Sequence, residues 1–411
     1  MSHLAQGSPP TALIIGGGVA GLTLAHLVRQ AGWTPILIEK RPLYEMLSGA
    51  GGVFLRQNGL SILKQIDDGR LAAELCRQGA PVLHGGFHRQ DGAPLYLSNS
   101  GKSGKGELGV CIGRADLQRL LYRDLGPEVV RTGWGITDFE QDSSGVRVWL
   151  EDGTYLKGDL MVGADGLWSK VRTILEGRDQ PAPAEYGGYC CWRGLFKPGQ
   201  EGLLDPNKSW AEYWGPGQRF GWFHLGGGRY SFYAFSNTAQ GGKDDRPTVE
   251  VLRELFSDYA EPVPSILAAL DGEPIFRDDI YDRPPIEGPW GNGRVTLVGD
   301  AAHPVQPNIG QGACQAIEDG FELARALRAA TLEDRPVAQA LRTFEQSRSK
   351  RVERVHKVSR QVGEFARADD KWSVFVRDHL YRWMPNWLGD LQFRWLLEYA
   401  PQWAEDQADV A

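Results

Sequence analysis

Two stretches of this chain set glycines beside a carboxylate in a pattern that can grip a large anionic cofactor. In the first, Gly16-x-Gly18-x-x-Gly21 follows the apolar run TALII and opens the helical pattern LTLAHLVRQAG, and Glu39 ends the next apolar run, PILIE. Such glycines permit a tight turn and let the backbone approach a pyrophosphate, whose charge the helix N-terminus favours. An acid in the position of Glu39 accepts from an adenosine ribose hydroxyl and repels a 2′-phosphate. The expected dinucleotide is therefore FAD or NAD rather than NADP. In the second stretch Asp300 closes the run RVTLVG, and Gly310-Gln311-Gly312 begins a further helix. A carboxylate at the C-terminal edge of such a sheet faces the ligand crevice and suits the ribityl hydroxyls of a flavin. Free N–H groups at the start of the following helix suit the flavin's pyrimidine carbonyls and favour negative charge on the reduced ring. Taken singly, each motif is also compatible with a ligand-free turn. Together with Glu39 they describe one cofactor held from two sides.

The elements that must place these groups follow from periodicity. Residues 11–39 read as strand, helix, strand, and residues 113–125 as a helix with Leu117, Leu120 and Leu121 on one face. Residues 146–164 read as a hairpin turning at Asp152-Gly153 and feeding a third apolar strand, which ends at Asp165-Gly166. From about 185 to 236 the chain is aromatic-rich and alternates as an antiparallel meander. Residues 248–270 and 340–366 read as helices, and residues 370–404 form a helix-prone tail rich in tryptophan. The expected fold is α/β (α+β overall), with a Rossmann-like, discontinuous FAD-binding domain. Its expected pieces are 10–75, 105–183 and 286–366. A mostly antiparallel sheet domain for the substrate is inserted at 76–104 and 184–285, and a helical segment covers 367–411.

The ordered motifs GGGVAGL, Glu39, GRADLQ, GADGLWSKVR and GDAAHPVQPNIGQGACQAIEDG resemble the FAD-dependent monooxygenases of the p-hydroxybenzoate hydroxylase type (group A) over about residues 11–365. QPNIGQGACQAIED and YCCWRG are most similar to the branch of zeaxanthin epoxidases, salicylate hydroxylases and urate hydroxylases. The resemblance implies FAD at Gly16, Gly18, Gly21, Glu39, Arg114 and Asp300, with the loop at 310–314 on the ring. The full cofactor set expected adds Val19, Ala20, Lys40, Gly52, Asp165, Gly166, Pro307, Gln311, Gly312 and Ala313. It further implies that Asp165-Gly166 serves both FAD and a nicotinamide nucleotide, so that NADH or NADPH is a co-substrate without a domain of its own. The implied chemistry is transfer of one oxygen atom from O₂, through a flavin hydroperoxide, to an electron-rich carbon. Cofactor chemistry of this kind explains why no nucleophile–base triad is visible. His303 reads as a structural loop residue, while Pro304 and Pro307 stiffen the loop and contact the flavin face.

Substrate residues are less marked. Alternation puts Tyr189, Cys191, Arg193 and Leu195 on one face of their strand, and Arg219, Gly221, Phe223 and Leu225 on one face of theirs. One face of this sheet is expected to roof the flavin. Arg193 and Arg219 are candidates for an anionic or carbonyl group on the substrate, with a salt-bridge role as the alternative. Tyr213, His224, Tyr233 and Pro307 are further candidates. Cys191 stands where urate hydroxylases of this branch carry an asparagine, which argues against urate. The plastid leader and forkhead-associated domain of zeaxanthin epoxidases are not expected here.

Composition bounds the rest. A formal net charge of −7 gives no reason to expect nucleic acid. The five cysteines form no CxxC pair and no metal spacing, so no metal is expected, and an odd count suits a reducing compartment. No apolar run reaches the roughly 20 residues of a membrane span, and MSHLAQGSPP lacks a signal pattern. The chain is expected to be cytoplasmic, a monomer or homodimer. Fourteen tryptophans suggest either a large apolar pocket or a greasy surface. The leading expectation is hydroxylation of a small aromatic or heteroaromatic molecule. The alternatives are epoxidation of an isoprenoid or polyene, with the tail as a peripheral membrane contact or lid, and a flavoprotein reductase or isomerase that uses no O₂. A non-catalytic escort protein is a further alternative. A tail packed on its own domain is the simpler expectation.

Overall fold

The computed structural model describes residues 8–98, 109–199, 203–205 and 208–403. The segment MSHLAQG lies outside the described residues, as do the tail beyond residue 403 and the side chain of Trp387. The apolar runs at β1 (Thr11–Ile15) and β2 (Thr34–Glu39) pair in parallel with β8 (Val130–Thr132), β12 (Leu160–Gly163) and β18 (Val295–Leu297). The order across this sheet is β18-β12-β1-β2-β8. Strands buried on both faces explain why these runs are continuously apolar rather than alternating. Helix α1 (Val19–Gln30) packs between this sheet and α10 (Gly312–Leu332), so Leu22, Leu24, Ala25, Leu27 and Val28 are all fully buried. Full burial of each such Leu or Val stabilises the fold by about 1.5–3 kcal/mol.

A seven-stranded sheet forms the second layer, in the order β17-β13-β16-β15-β14-β5-β6. It comprises β5 (Gly85–Arg89), β6 (Pro94–Ser98), β13 (Glu185–Phe196), β14 (Trp210–Gly215), β15 (Gln218–Gly226), β16 (Arg229–Asn237) and β17 (Ile275–Asp282). It is antiparallel except where β14 pairs with β5. Its outer face carries Cys190, Trp192, Phe220, Trp222, Phe232 and Ala234 under α8 (Thr248–Leu255) and α9 (Val263–Ala268). The single helix expected over 248–270 is therefore two short ones, interrupted at residues 256–262, where Pro262 and Pro264 flank the start of α9. A proline lacks the N–H that an uninterrupted helix would need there.

Smaller elements join the two layers. β3 (Gly52–Arg56), β7 (Gly109–Gly113) and β4 (Ala80–Pro81) form one small sheet, and β9 (Ile136–Gln141), β10 (Val146–Leu150) and β11 (Tyr155–Gly158) another. Helices α2 (Leu43–Met46), α3 (Gln57–Leu63), α4 (Arg70–Gln78), α5 (Arg114–Arg123), α6 (Gly126–Val129) and α7 (Lys170–Leu175) fill the connections. The long helix α11 (Val337–Ala366) packs on α10, and α12 (Lys371–Trp383) and α13 (Asn386–Leu397) follow. Part of the tail packs as expected: Leu396 is buried, and the Trp403 ring meets Phe321. The outer stripe of α12 does not, and Trp372 and Trp383 stand exposed. The tryptophans thus divide, with Trp33, Trp192, Trp214, Trp222 and Trp290 in the core. Among the described residues, no helix is long and apolar enough to cross a membrane.

Candidate active site

The three glycines of the first motif differ in what surrounds them. At Gly16, with φ +117°, a Cβ would stand 2.4 Å from the Ala164 carbonyl oxygen, and at Gly21 it would stand 1.9 Å from the Gly16 carbonyl oxygen. Neither position has room for a side chain, because strand, turn and helix approach too closely. At Gly18, the N-cap of α1, a Cβ would meet nothing within 4 Å. The motif therefore has two glycines that close the turn and one that leaves open space at the helix start. That is the cradle a pyrophosphate requires. Val19 and Ala20 begin the helix behind it.

Glu39 accepts from the Gly17 N–H at 2.7 Å and from the backbone and guanidinium of Arg41. Burial alone would raise its carboxyl, but Arg41 and the two backbone donors outweigh burial and hold it below its ordinary value. An ionised acceptor is thus fixed where an adenosine ribose is expected. Arg41, unread in the sequence, is the missed partner. Lys40 points to solvent.

Asp300 follows β18 in a short turn and is open to solvent, yet it lies deep between elements. Burial raises its carboxyl, against the opposing charges of His303 and Arg114. Arg114, at the start of α5, is also solvent-open at its surface and lowered by the burial around it. Asp300, Arg193 and Arg41 all act on its charge. Three arginines and one acid close enough to act on one another suit a bound diphosphate with a sugar-like chain. At Gly312, the first residue of α10, a Cβ again meets only open space. Gly310 adopts φ +61°, which favours glycine. Pro307 is exposed at the start of the loop, Ala313 is partly exposed, and Gln311 is buried. These residues fit FAD on both sides of the cleft. Asp300→Ala is accordingly expected to weaken FAD retention by roughly tenfold or more. Bound flavin per chain after dialysis measures this, and full occupancy would contradict the assignment.

Four expected site residues need correction. The Asp165 carboxylate is not free for a ligand: it takes hydrogen bonds from the Ser169 hydroxyl (2.6 Å) and the Lys170 and Val171 N–H groups, capping α7. Only its backbone and the left-handed Gly166 (φ +83°) remain for a cofactor. Gly52 has no space at its side, since a Cβ would lie 2.3 Å from the Phe223 ring, and its N–H donates to the Ser231 hydroxyl. It is glycine because the roof packs there. His224 and Tyr213 belong to the outer face of the sheet, stacked on Tyr230 and His88. The period of two that puts Arg219 and Phe223 inside puts His224 outside.

The inner face carries a polar constellation set among aromatic rings. Glu212 accepts from the Trp214 indole at 2.7 Å, from Arg219 at 3.3 Å and from the Tyr233 hydroxyl at 2.6 Å. Arg219, 2% exposed, also donates to Asn308 Oδ1 at 2.6 Å and lies over the Phe235 ring. Asn308 belongs to the loop that leads to Gly310, so Arg219 ties the roof to the expected ring-binding loop. The Tyr189 hydroxyl donates to the same Asn308 oxygen. Burial, then the Glu212 carboxylate, pushes the Tyr233 hydroxyl far above its ordinary value. Tyr233 therefore keeps its proton and donates a hydrogen bond to Glu212. Arg193 sits instead over Gly51 and pairs with Asp278 at 2.7 Å. Glu212 escaped the sequence reading, although it shares the alternation of Trp210 and Trp214.

A buried ionic cluster behind the cleft also escaped it. Asp319 accepts from the Gly299 N–H, from His303 and from Arg348. Glu318 accepts from Asn58, Gln315, Arg348 and Arg351. Asn58 also donates to Gln311. The two acids of α10 thus fix both the turn before Asp300 and the loop before Gly312. His303 is turned to Asp319 and is part of this scaffold.

Comparison with known proteins adds independent support. A family model described as "FAD binding domain" matches residues 10–359. The chain is 33% identical over 396 residues to the aurachin C monooxygenase/isomerase of Stigmatella aurantiaca, covering 95% of this chain and 98% of that protein. It is 34% identical to the chloroplastic zeaxanthin epoxidase of Oryza sativa subsp. japonica, covering 87% of this chain but only 55% of that protein, so it spans about half the length of that relative. The crystal structure of Klebsiella pneumoniae HpxO complexed with FAD and uric acid superposes with a TM-score of 0.84 at 27% identity, covering 95% of this chain and 96% of that one.

Proposed function

The chain belongs to the FAD-binding-domain family matched over residues 10–359 and is an FAD-dependent monooxygenase; from this premise we propose that it hydroxylates an uncharged, electron-rich aromatic or heteroaromatic ring, with NADH or NADPH as electron donor and O₂ as co-substrate. When bound, FAD supplies the electron carriage and dioxygen activation that side chains lack. The residues supply binding, orientation and proton handling.

The observation that carries the reading is the Tyr233–Glu212–Arg219 constellation on the inner face. Arg219 is already neutralised by Glu212, which removes the incentive to bind a carboxylate substrate. Tyr233 is half-buried and donates its proton to Glu212, leaving its oxygen lone pairs as acceptors for a ring O–H or N–H. As the ring is attacked, its proton passes to the Tyr233 oxygen while the Tyr233 proton passes to Glu212. Tyrosinate is thereby avoided, and the ring gains electron density when it needs it. Phe54, Phe223, Leu195 and Phe235 supply apolar walls. The similarity to a structure holding uric acid supports a ring substrate. The zeaxanthin epoxidase similarity supports a polyene as the second reading, but a hydrocarbon offers no O–H or N–H to the Tyr233 oxygen, whose hydroxyl already donates to Glu212.

Tyr233→Phe tests the role, because it removes the hydroxyl and keeps the Glu212–Arg219 pair. Its kcat is expected to fall by on the order of a hundredfold with flavin content unchanged, and the loss should shrink at high pH, where a phenolic substrate is already ionised. Unchanged kcat would remove Tyr233 from the mechanism. Substrates for the assay come from anaerobic flavin reduction by NADH and NADPH across phenols, N-heteroaromatics and polyenes, read as acceleration on binding.

A further inference from the structure

We propose that the ring substrate carries an apolar arm, and that the inner face of the roof holds this arm in a compartment running from Tyr233 past Trp210 and Phe87 to Tyr96 and Tyr381. The inference rests on the ring reading above and names the class of substrate within it.

Strand register lays out the path. Tyr233, Gly221, Glu212, Phe87 and Tyr96 stand opposite one another on β16, β15, β14, β5 and β6, so they form one row on the inner face. Phe223 and Trp210 pair in the row beside it. Two glycines make room for the rings. A Cβ at Gly221 would stand 2.2 Å from the Tyr233 ring, and one at Gly85 would stand 2.2 Å from the Trp210 indole, so both rings lie across a neighbouring strand. The Phe87 ring centre is 5.2 Å from that of Trp210 and 6.0 Å from that of Tyr96. From the facing helix α12, Tyr381 stands 6.0 Å from Phe87 and 5.9 Å from Phe365 of α11.

Tyr233, Trp210, Phe87, Tyr96, Tyr381 and Phe365 all remain partly exposed. The exposure is to an interior space. Burial pushes the Tyr381 hydroxyl up to about 12 and drives the Tyr233 hydroxyl well above its usual value, which an outer surface would not do. Glu212, the carboxylate in the row, is 7% exposed and spent on Trp214, Arg219 and Tyr233. What the row offers beyond Tyr233 is therefore aromatic carbon. Adjacent strands lie about 4.8 Å apart, so it runs roughly 14 Å from Tyr233 to Phe87 and roughly 19 Å to Tyr96. A bare ring at Tyr233 leaves most of this length uncovered, whereas an alkyl or isoprenoid arm on the ring fills it.

Binding to the flavin-loaded enzyme, read from the flavin absorbance, tests this. The probes are para-alkylphenols and the matching alkylindoles with methyl, butyl, hexyl, octyl and decyl chains. In at least one series affinity is expected to rise about threefold to fourfold per methylene and to level off once the arm spans the row. Phe87→Ala, at unchanged flavin content, should cost the octyl compound on the order of tenfold more than the methyl compound. Ring compounds that bind with no dependence on chain length would overturn the arm and leave the ring reading standing. So would a flavin-loaded Phe87→Ala protein that binds the octyl compound as tightly as the wild type. A linear polyene that binds where every alkylated ring fails would overturn the ring reading, and the arm with it.

Discussion

Gly18→Val is expected to give a folded chain that carries no flavin. The backbone at Gly18 is extended (φ −76°, ψ −176°), which valine adopts readily, and a Cβ there meets only open space. The fold should therefore lose no more than about 1 kcal/mol. The space the valine fills is the approach to the start of α1, where a pyrophosphate takes charge-assisted hydrogen bonds worth roughly 1.5–3 kcal/mol each. Loss of two such bonds lowers FAD affinity by on the order of a hundredfold or more. Gly16→Val is the contrasting control. It places a side chain 2.4 Å from a carbonyl oxygen at positive φ and should compromise the fold itself. Thermal melts beside bound-flavin absorbance separate the two, and a Gly18→Val protein with full flavin would refute the pyrophosphate site.

Arg348→Ala should have the largest effect on stability, though it lies behind the cleft. The guanidinium is 1% exposed and bonds both Glu318 and Asp319, which are themselves fully buried. Removing one partner of a buried ionic set typically costs about 3–5 kcal/mol, because the remaining charges lose their compensation. The same loss should loosen flavin binding, since Asp319 holds the Gly299 N–H beside Asp300. It also carries a pH signature. Burial would raise both carboxyls, but Arg348, Arg351 and His303 outweigh burial and hold them below their ordinary values. A carboxyl depressed in the folded state adds stability above its unfolded pKa, about 4, and loses it as pH falls through the folded value. In Arg348→Ala the folded pKa values rise, so acid unfolding should begin at higher pH than in the wild type. A variant within 1 kcal/mol of wild type with the same acid midpoint would show that the cluster is not held by Arg348.

Much of this was legible in the sequence because short-range geometry dictates it. A turn that closes on itself requires glycine at 16 and 21, an acid must end the second strand at Glu39, and a period of two sorts Arg219 and Phe223 from Trp222. The faces that alternation assigned are the faces the sheet shows. What was not legible depends on partners distant in the chain. Glu318 and Asp319 look like solvent charges on α10 until Arg348 and Arg351 arrive from α11. The clue was that Arg348 falls between Phe344 and Val352 on an otherwise apolar stripe. Glu212 was hidden because an acid between tryptophans in WAEYW reads as an outward residue, whereas the register of Trp214 opposite Arg219 turns it inward. Asp165 misled for the opposite reason, since a strand-end acid can cap its own following helix as well as hold a ligand.

The measurement that bears most directly on the proposed reaction is a turnover under dioxygen labelled with the heavy oxygen isotope, using the compound that best accelerates flavin reduction. Ring hydroxylation predicts one labelled oxygen atom on the ring carbon of the product, with one NADH or NADPH consumed per product formed. A product that carries no label, or a label found only in the epoxide of a polyene, would contradict it.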